Sequence, residues 1–167
     1  AVTDLCIRAD ATKVVSGVCQ ISGSKPVFNS GAPVHVTAVK ESVAGKSKVL
    51  LTFNVKNVGA GNVYKASLMS LTPDCERGAF AKENHVLVKV DTGLVGISCS
   101  GISVDSTASE PSKGSIVGDL RLSGGEGTFS CTQNTPNQDG IKKVNLKLTY
   151  NYLISKNTKI AVKHLLS

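Results

Sequence analysis

The amino-acid sequence predicts an all-β protein, an antiparallel β-sandwich of about nine strands with a short, disulfide-clipped N-terminal segment. Apolar and polar residues alternate with period two over many short runs, and glycine-rich turn sequences separate those runs. No stretch shows the 3.6-residue period of an amphipathic helix. The 167 residues suffice for one such domain, and with 4% aromatic residues its core must consist mainly of Val, Leu and Ile.

The clearest element is a β-hairpin between Val49 and Met69. Its first strand directs one set of residues to a single face: Val49, Leu51, Phe53 and Val55. The turn at 57–62 contains two Asn and two Gly residues, types that tolerate positive φ. A second strand follows the turn. The alternation therefore predicts a half-buried hairpin.

The same pattern continues beyond the hairpin. The alternation is longest in 143–154, which predicts a central strand, whereas the Ser/Gly/Pro-rich stretch 101–114 predicts a loop. Residues 1–33 lack this regularity, so we expect an N-terminal segment, 1–33, followed by a sandwich domain, 34–167. The predicted strands lie near residues 34–40, 47–57, 62–70, 85–91, 94–100, 115–122, 126–133, 143–154 and 157–165.

Five cysteines indicate two disulfides. Cys99 and Cys131 each alternate in step with the apolar residues of their strands, so both side chains are expected to face the core. This predicts a bond that joins the two sheets across the sandwich interior. Cys6 and Cys19 would clip the N-terminal segment into a loop, and Cys75 would remain free or pair between molecules. Each closure is worth about 3–4 kcal/mol in the chain-entropy description. The alternative is five reduced, buried cysteines in a cytosolic protein; disulfides instead imply an oxidising, extracytoplasmic setting.

The charge pattern favours an ordinary solvated surface. The formal net charge is +7, and we expect the lysines within strand-like runs to project to water and protect sheet edges. Attraction to acidic glycans or to an anionic surface is the alternative. A nucleic-acid partner is not expected, since no basic helix or finger spacing occurs. No apolar run is long enough to span a bilayer, so no membrane insertion is expected. The lysines concerned are Lys56, Lys65, Lys89, Lys147 and Lys163.

No catalytic, cofactor-binding or metal-binding constellation is predicted, so the protein is not expected to be an enzyme. The three histidines, His35, His85 and His164, lie in or beside separate strands without ligand spacing. Two acidic pairs in loops leave a calcium site as the alternative to a solvated loop, although neither approaches an EF-hand pattern. These pairs are Asp74 with Glu76 and Asp105 with Glu110.

Several segments resemble the immunoglobulin-like, cell-adhesion-related (CARDB) modules of archaeal surface proteins. They are Gly31–Thr37, Phe53–Tyr64, Ile97–Cys99, Gly118–Leu122, Thr128–Cys131 and Leu148–Tyr152. The resemblance covers about residues 31–165 and implies an immunoglobulin-like fold with a non-enzymatic role in surface architecture or adhesion. A start at Ala1 rather than Met fits a secreted, cell-surface product whose signal has been removed, or a trimmed chain.

Two functions follow as hypotheses. The first is a structural subunit that assembles with copies of itself into a pilus-like filament by strand exchange, donating either the N-terminal segment or Thr158–Leu165. On this hypothesis, deleting 1–33 abolishes assembly and leaves a folded core. The second is a secreted adhesion or glycan-binding module whose rim is formed by loops 71–84 and 101–114. Phe80 is the single aromatic residue of those loops, which weighs against sugar binding.

Overall fold

The computed structural model describes residues 1–13, 19–66 and 83–161. Its regular structure is almost entirely β, which confirms the all-β prediction. One short 3-10 turn, Pro111–Lys113, precedes β10. The strands are β1 (Val2–Ile7), β2 (Gly23–Lys25), β3 (Val27–Phe28), β4 (Val34–Gly45), β5 (Lys48–Asn57), β6 (Asn62–Tyr64), β7 (His85–Asp91), β8 (Ile97–Ser100), β9 (Ser103–Val104), β10 (Ser115–Arg121), β11 (Glu126–Asn134), β12 (Gly140–Thr149) and β13 (Asn151–Leu153).

Two antiparallel sheets form the sandwich. Sheet I has the order β3-β1-β12-β7-β10-β9, and sheet II has the order β2-β4-β5-β11-β8. A two-stranded sheet, β13-β6, lies where β12 and β5 end. The predicted central strand is confirmed, because β12 lies between β1 and β7.

The core lies between the two sheets and is built from their alternating inward residues. On β5 every second side chain from Val49 to Val55 is fully buried, as the hairpin pattern predicts. The rings of Phe53 and Phe129 stack with centroids 4.9 Å apart in neighbouring strands. The remaining core is mostly aliphatic, with Leu5 and Val144 from sheet I and Val36 from sheet II fully buried.

Several predicted strands differ in extent from those observed. The run 143–154 divides at Tyr150, because β13 leaves sheet I to pair with β6. The strand predicted at 157–165 is wrong over 157–161, where no strand forms, and 162–165 lie outside the described residues. The predicted hairpin between Val49 and Met69 is wrong as a pairing, because β5 pairs with β4 and β11, whereas β6 (Asn62–Tyr64) pairs with β13. Residues 67–70 also lie outside the described residues.

The N-terminal segment is part of the sandwich. It contributes β1 and β3 to sheet I and β2 to sheet II. Leu5, Ile7 and Ile21 are buried in the core. The expectation that residues 1–33 could be deleted to leave a folded core is therefore corrected, since the deletion removes a strand that pairs with β12 along its whole length.

Both expected disulfides are present, Cys6–Cys19 and Cys99–Cys131. The expected position of the second is corrected. Cys99 and Cys131 face one another in adjacent strands of sheet II, so the bond fastens β8 to β11 and does not bridge the two sheets. Two cysteines that both face the core can bond across the sandwich or between adjacent strands of one sheet, because paired residues of neighbouring strands point to the same face. Cys75 lies outside the described residues.

Candidate functional site

One histidine and two loop acids among the candidates have contacts within the chain. His35 lies on β4, and His85 Nδ1 lies 2.5 Å from Asp119 Oδ2 across β7 and β10. The Asp105 carboxylate accepts hydrogen bonds from the Thr107 hydroxyl and amide, which lower the pKa of Asp105.

Glu110 forms an ion pair with Lys113 at 2.7 Å, so both acids of the second candidate calcium pair have partners within the chain. No group of three metal-ligating side chains occurs in the part of the chain that the structure describes. His164 and the pair Asp74 and Glu76 lie outside it. The lysines of β5, β7 and β12, and Lys65, are exposed as predicted.

The edges of the two sheets are the features that distinguish this sandwich. At most of these edges, short strands or side chains hydrogen-bond to the outward backbone groups, and we call such edges closed. The outer edge of β10 pairs with β9 at Gly118 and Asp119. Next to that pairing, the Ser109 hydroxyl accepts from the Val117 amide (2.8 Å) and donates to its carbonyl (3.1 Å). A serine side chain thus takes the place of a strand, which keeps this edge from pairing with another chain.

The outer edge of β4 is closed in the same way. β2 pairs with β4 at Val39–Glu41. The Asn29 side chain continues that cover, since its amide nitrogen donates to the Val36 carbonyl (2.8 Å) and its oxygen accepts from the Val36 amide (2.9 Å). One asparagine side chain therefore reproduces both hydrogen bonds of a ladder position.

A buried carboxylate covers the outer edge of β1. β3 pairs only with Val2 and Thr3, and beyond them the Cys6 amide donates to Glu41 Oε2 at 3.0 Å. Lys25 Nζ forms an ion pair with the same oxygen at 3.1 Å. The Glu41 side chain is inaccessible to solvent, and burial raises the pKa of Glu41 against smaller opposing effects of the Cys6 amide and Lys25.

The outer edge of β8 is open. Sheet II ends at β8, and no strand of the described residues pairs with its outer side. The Cα atoms of Cys99 and Cys131 are 4.0 Å apart, the close spacing of a non-hydrogen-bonded pair. Because the ladder alternates, the N–H and C=O groups of Cys99 and Ile97 point away from β11 to the open side.

A buried glutamine holds the loop that enters β8. Gln133 accepts from the Thr92 hydroxyl at 2.6 Å. Its amide nitrogen donates to the carbonyls of Leu94 (3.2 Å) and Val95 (2.9 Å). The open edge is therefore fixed at its start by Gln133 and in its middle by the disulfide.

The segment that follows β13, residues 154–161 (hereafter the C-terminal segment), is exposed throughout and contains no strand. Ile154 and Ile160 have 59% and 82% of their surfaces accessible. The alternation that predicts a strand, Ile160 and Val162 against Lys159 and Lys163, begins at the end of this segment, and residues 162 and 163 lie outside the described residues.

Tyr152 anchors the point from which the C-terminal segment leaves the sandwich. Its hydroxyl accepts from the Gly61 amide (2.7 Å) and donates to Asn57 Oδ1 (3.2 Å). Asn57 also bonds both Gly59 and Gly61, so the glycine turn of the predicted hairpin is a docking surface for β13. A Cβ atom at Gly61 would lie against the Leu153 carbonyl oxygen and 2.7 Å from the Tyr152 ring, which explains the glycine.

Sequence reasoning did not find the side chains that close the edges. Glu41 could have been noticed in the sequence, because it lies two residues after Val39 and therefore on the same core-facing side of β4. Asn29 and Ser109 carried none, because a polar residue in a loop is the ordinary case.

Comparison with known proteins identifies no relative of this chain. No family model matches the chain, and no curated protein sequence matches it. Within the described residues no helix is long and apolar enough to cross a membrane. The resemblance to adhesion-related modules therefore stays a proposal.

Replacing Gly61 with Ala should detach β13 from the turn. We expect the free energy of unfolding in urea to fall by at least about 2 kcal/mol, because the new methyl group must displace Tyr152 or Leu153. Gly31→Ala is the matched control, since no atom lies within 4 Å of the added Cβ there. Equal stability of the two variants would contradict the proposed docking.

Glu41 should make stability depend on pH. Its pKa is raised in the fold, so the folded protein holds the proton more tightly than the unfolded chain does. The free energy of unfolding must then fall as pH rises from the ordinary glutamate pKa to the raised value. Glu41→Gln lacks this fall, so its stability relative to the parent should increase across that window and then level off.

Urea titrations of both proteins between about pH 4 and pH 8 measure that difference. A difference that decreases as pH rises would show that Glu41 is stabilised as the anion, and the assignment would be wrong.

Proposed function

We propose that this protein is an extracytoplasmic structural subunit that associates with copies of itself through its sheet edges, as in a cell-surface filament. The observation that carries the proposal is the C-terminal segment. The run predicted as a strand, 157–165, begins within it, yet its described residues form no strand and Ile160 is 82% exposed. An exposed segment that forms no strand, on a sandwich whose strand β8 has one neighbour among the described residues, is an arrangement from which strand addition between chains can proceed.

The disulfides support the extracytoplasmic part of the proposal. Two bonds in one domain persist in oxidising compartments and are uncommon in the reducing cytosol. The N-terminal segment is the weaker donor, because β1 already lies between β3 and β12 of its own chain. Its donation would require β1 to leave a position in which Leu5 is fully buried.

A glycan-binding module is the second candidate, and the outer face of sheet II favours it. Thr37, Asn54 and Thr128 form a hydrogen-bonded row there, with Glu126 bound to the same asparagine. Such hydroxyl and amide groups match those of a sugar. Aromatic side chains that would stack on a sugar ring are absent from this row, so the structural role is preferred.

The proposal predicts that the purified native protein forms ordered fibres as its concentration rises. Negative-stain electron microscopy and sedimentation velocity over a dilution series test this directly. Particles that stay single and monodisperse at every concentration would contradict it. A glycan array would then test the second candidate.

A further inference from the structure

We propose that the C-terminal segment of one copy adds as a strand to the outer edge of β8 in a second copy. The inference rests on the proposed function and supplies it with a donor and an acceptor. The acceptor is Ile97–Ser100 with its flanking residues, and the occupant is residues 154–161 of another molecule of the same chain.

The composition of β8 distinguishes it from the other edges. Natural sheets protect an exposed edge with charges, proline or a covering segment. The stretch from 93 to 104 contains no charged residue and no proline, and no described strand covers the edge. The edges of β10, β4 and β1 are instead closed by Ser109, Asn29 and Glu41.

The surroundings of β8 also leave apolar surface to be covered. Val95 before the strand is 69% exposed, and Val104 after it is 45% exposed. Cys99 is half-buried, although its partner Cys131 is inaccessible. A strand added beside β8 would cover the side of this disulfide on which no strand of residues 1–13, 19–66 or 83–161 lies.

The donor suits this acceptor in pattern and charge. When Ile160 faces inward next to Cys99, alternation places Lys159 and Ala161 on the outer face. The segment contains no acidic residue, and Lys159 on the outer face adds a positive charge to an uncharged edge, whereas Lys156 lies before the part that would face Cys99. The completed edge would then have the protection that β8 lacks, which limits further sideways pairing.

The positions of donor and acceptor favour a head-to-tail contact. Through β11, Ile97 lies level with Val49 on β5. The C-terminal segment leaves β13 beside Asn57, at the other end of β5. Val49 and Asn57 are about 27 Å apart along the strand. A contact from one end of a molecule to the opposite end of the next is head-to-tail and generates an open filament.

Three full-length variants test the assignment by sedimentation velocity over a concentration series. Ile160→Lys places a charge where the donor must be apolar, and Val95→Lys places one beside the acceptor edge. Ile141→Lys is the matched control, because Ile141 is 62% exposed on β12, away from β8. The two test variants should raise the midpoint concentration of association at least about tenfold, whereas the control should match the parent.

Mixing provides the decisive result. The Ile160→Lys chain keeps its acceptor and the Val95→Lys chain keeps its donor, so an equimolar mixture should form a dimer that neither protein forms alone at that concentration. If both variants associate like the parent, or if mixing restores nothing, this assignment fails while the proposed function stands. If the parent protein does not associate at any concentration, the proposed function fails as well.

Discussion

The hydrogen-bonding demand of sheet edges is the constraint on which this structure depends. A sandwich of two short sheets leaves four edges whose N–H and C=O groups require partners. The chain meets that demand with short strands on three edges and with the side chains of Asn29, Glu41 and Ser109 beside them. The fourth edge, β8, receives no such partner among the described residues. The account of function follows from that difference.

The two disulfides support the same edges. Cys6–Cys19 ties β1 to the segment that enters β2, and Cys99–Cys131 fastens the outermost strand of sheet II. β8 has four residues and one neighbour, so cross-strand hydrogen bonds alone would hold it weakly. A covalent bond and Gln133 keep this open edge ordered, which lowers the entropic cost of adding a strand to it.

The sequence alone was sufficient for the fold class, the inward faces and the pairing of the cysteines. The fold class, the inward faces and the Cys99–Cys131 pairing follow from period-two alternation, which Val49 to Val55 and β12 display clearly. The Cys6–Cys19 pairing follows from the short spacing of two cysteines in the N-terminal segment. Alternation contains no information on which strands are neighbours, so the position of Cys99–Cys131 within one sheet was missed. Alternation also predicted a C-terminal strand that does not form over 157–161. A pattern such as that around Ile160 indicates that a segment is able to pair as a strand, but it does not indicate whether a partner strand exists in the same chain. The edge caps depend on contacts between distant residues, which local patterns do not reveal.

Amide hydrogen exchange, compared between dilute and concentrated native protein, tests the central claim most directly. The account predicts that the amides of Ile97 and Cys99, which point to the open side of β8, become protected only in the concentrated sample, together with amides of the C-terminal segment. The amides of β4 and β10 should be equally protected in both samples, because their edges are closed within the chain. Concentration-dependent protection confined to β1, β3 or the outer face of sheet II would contradict the account.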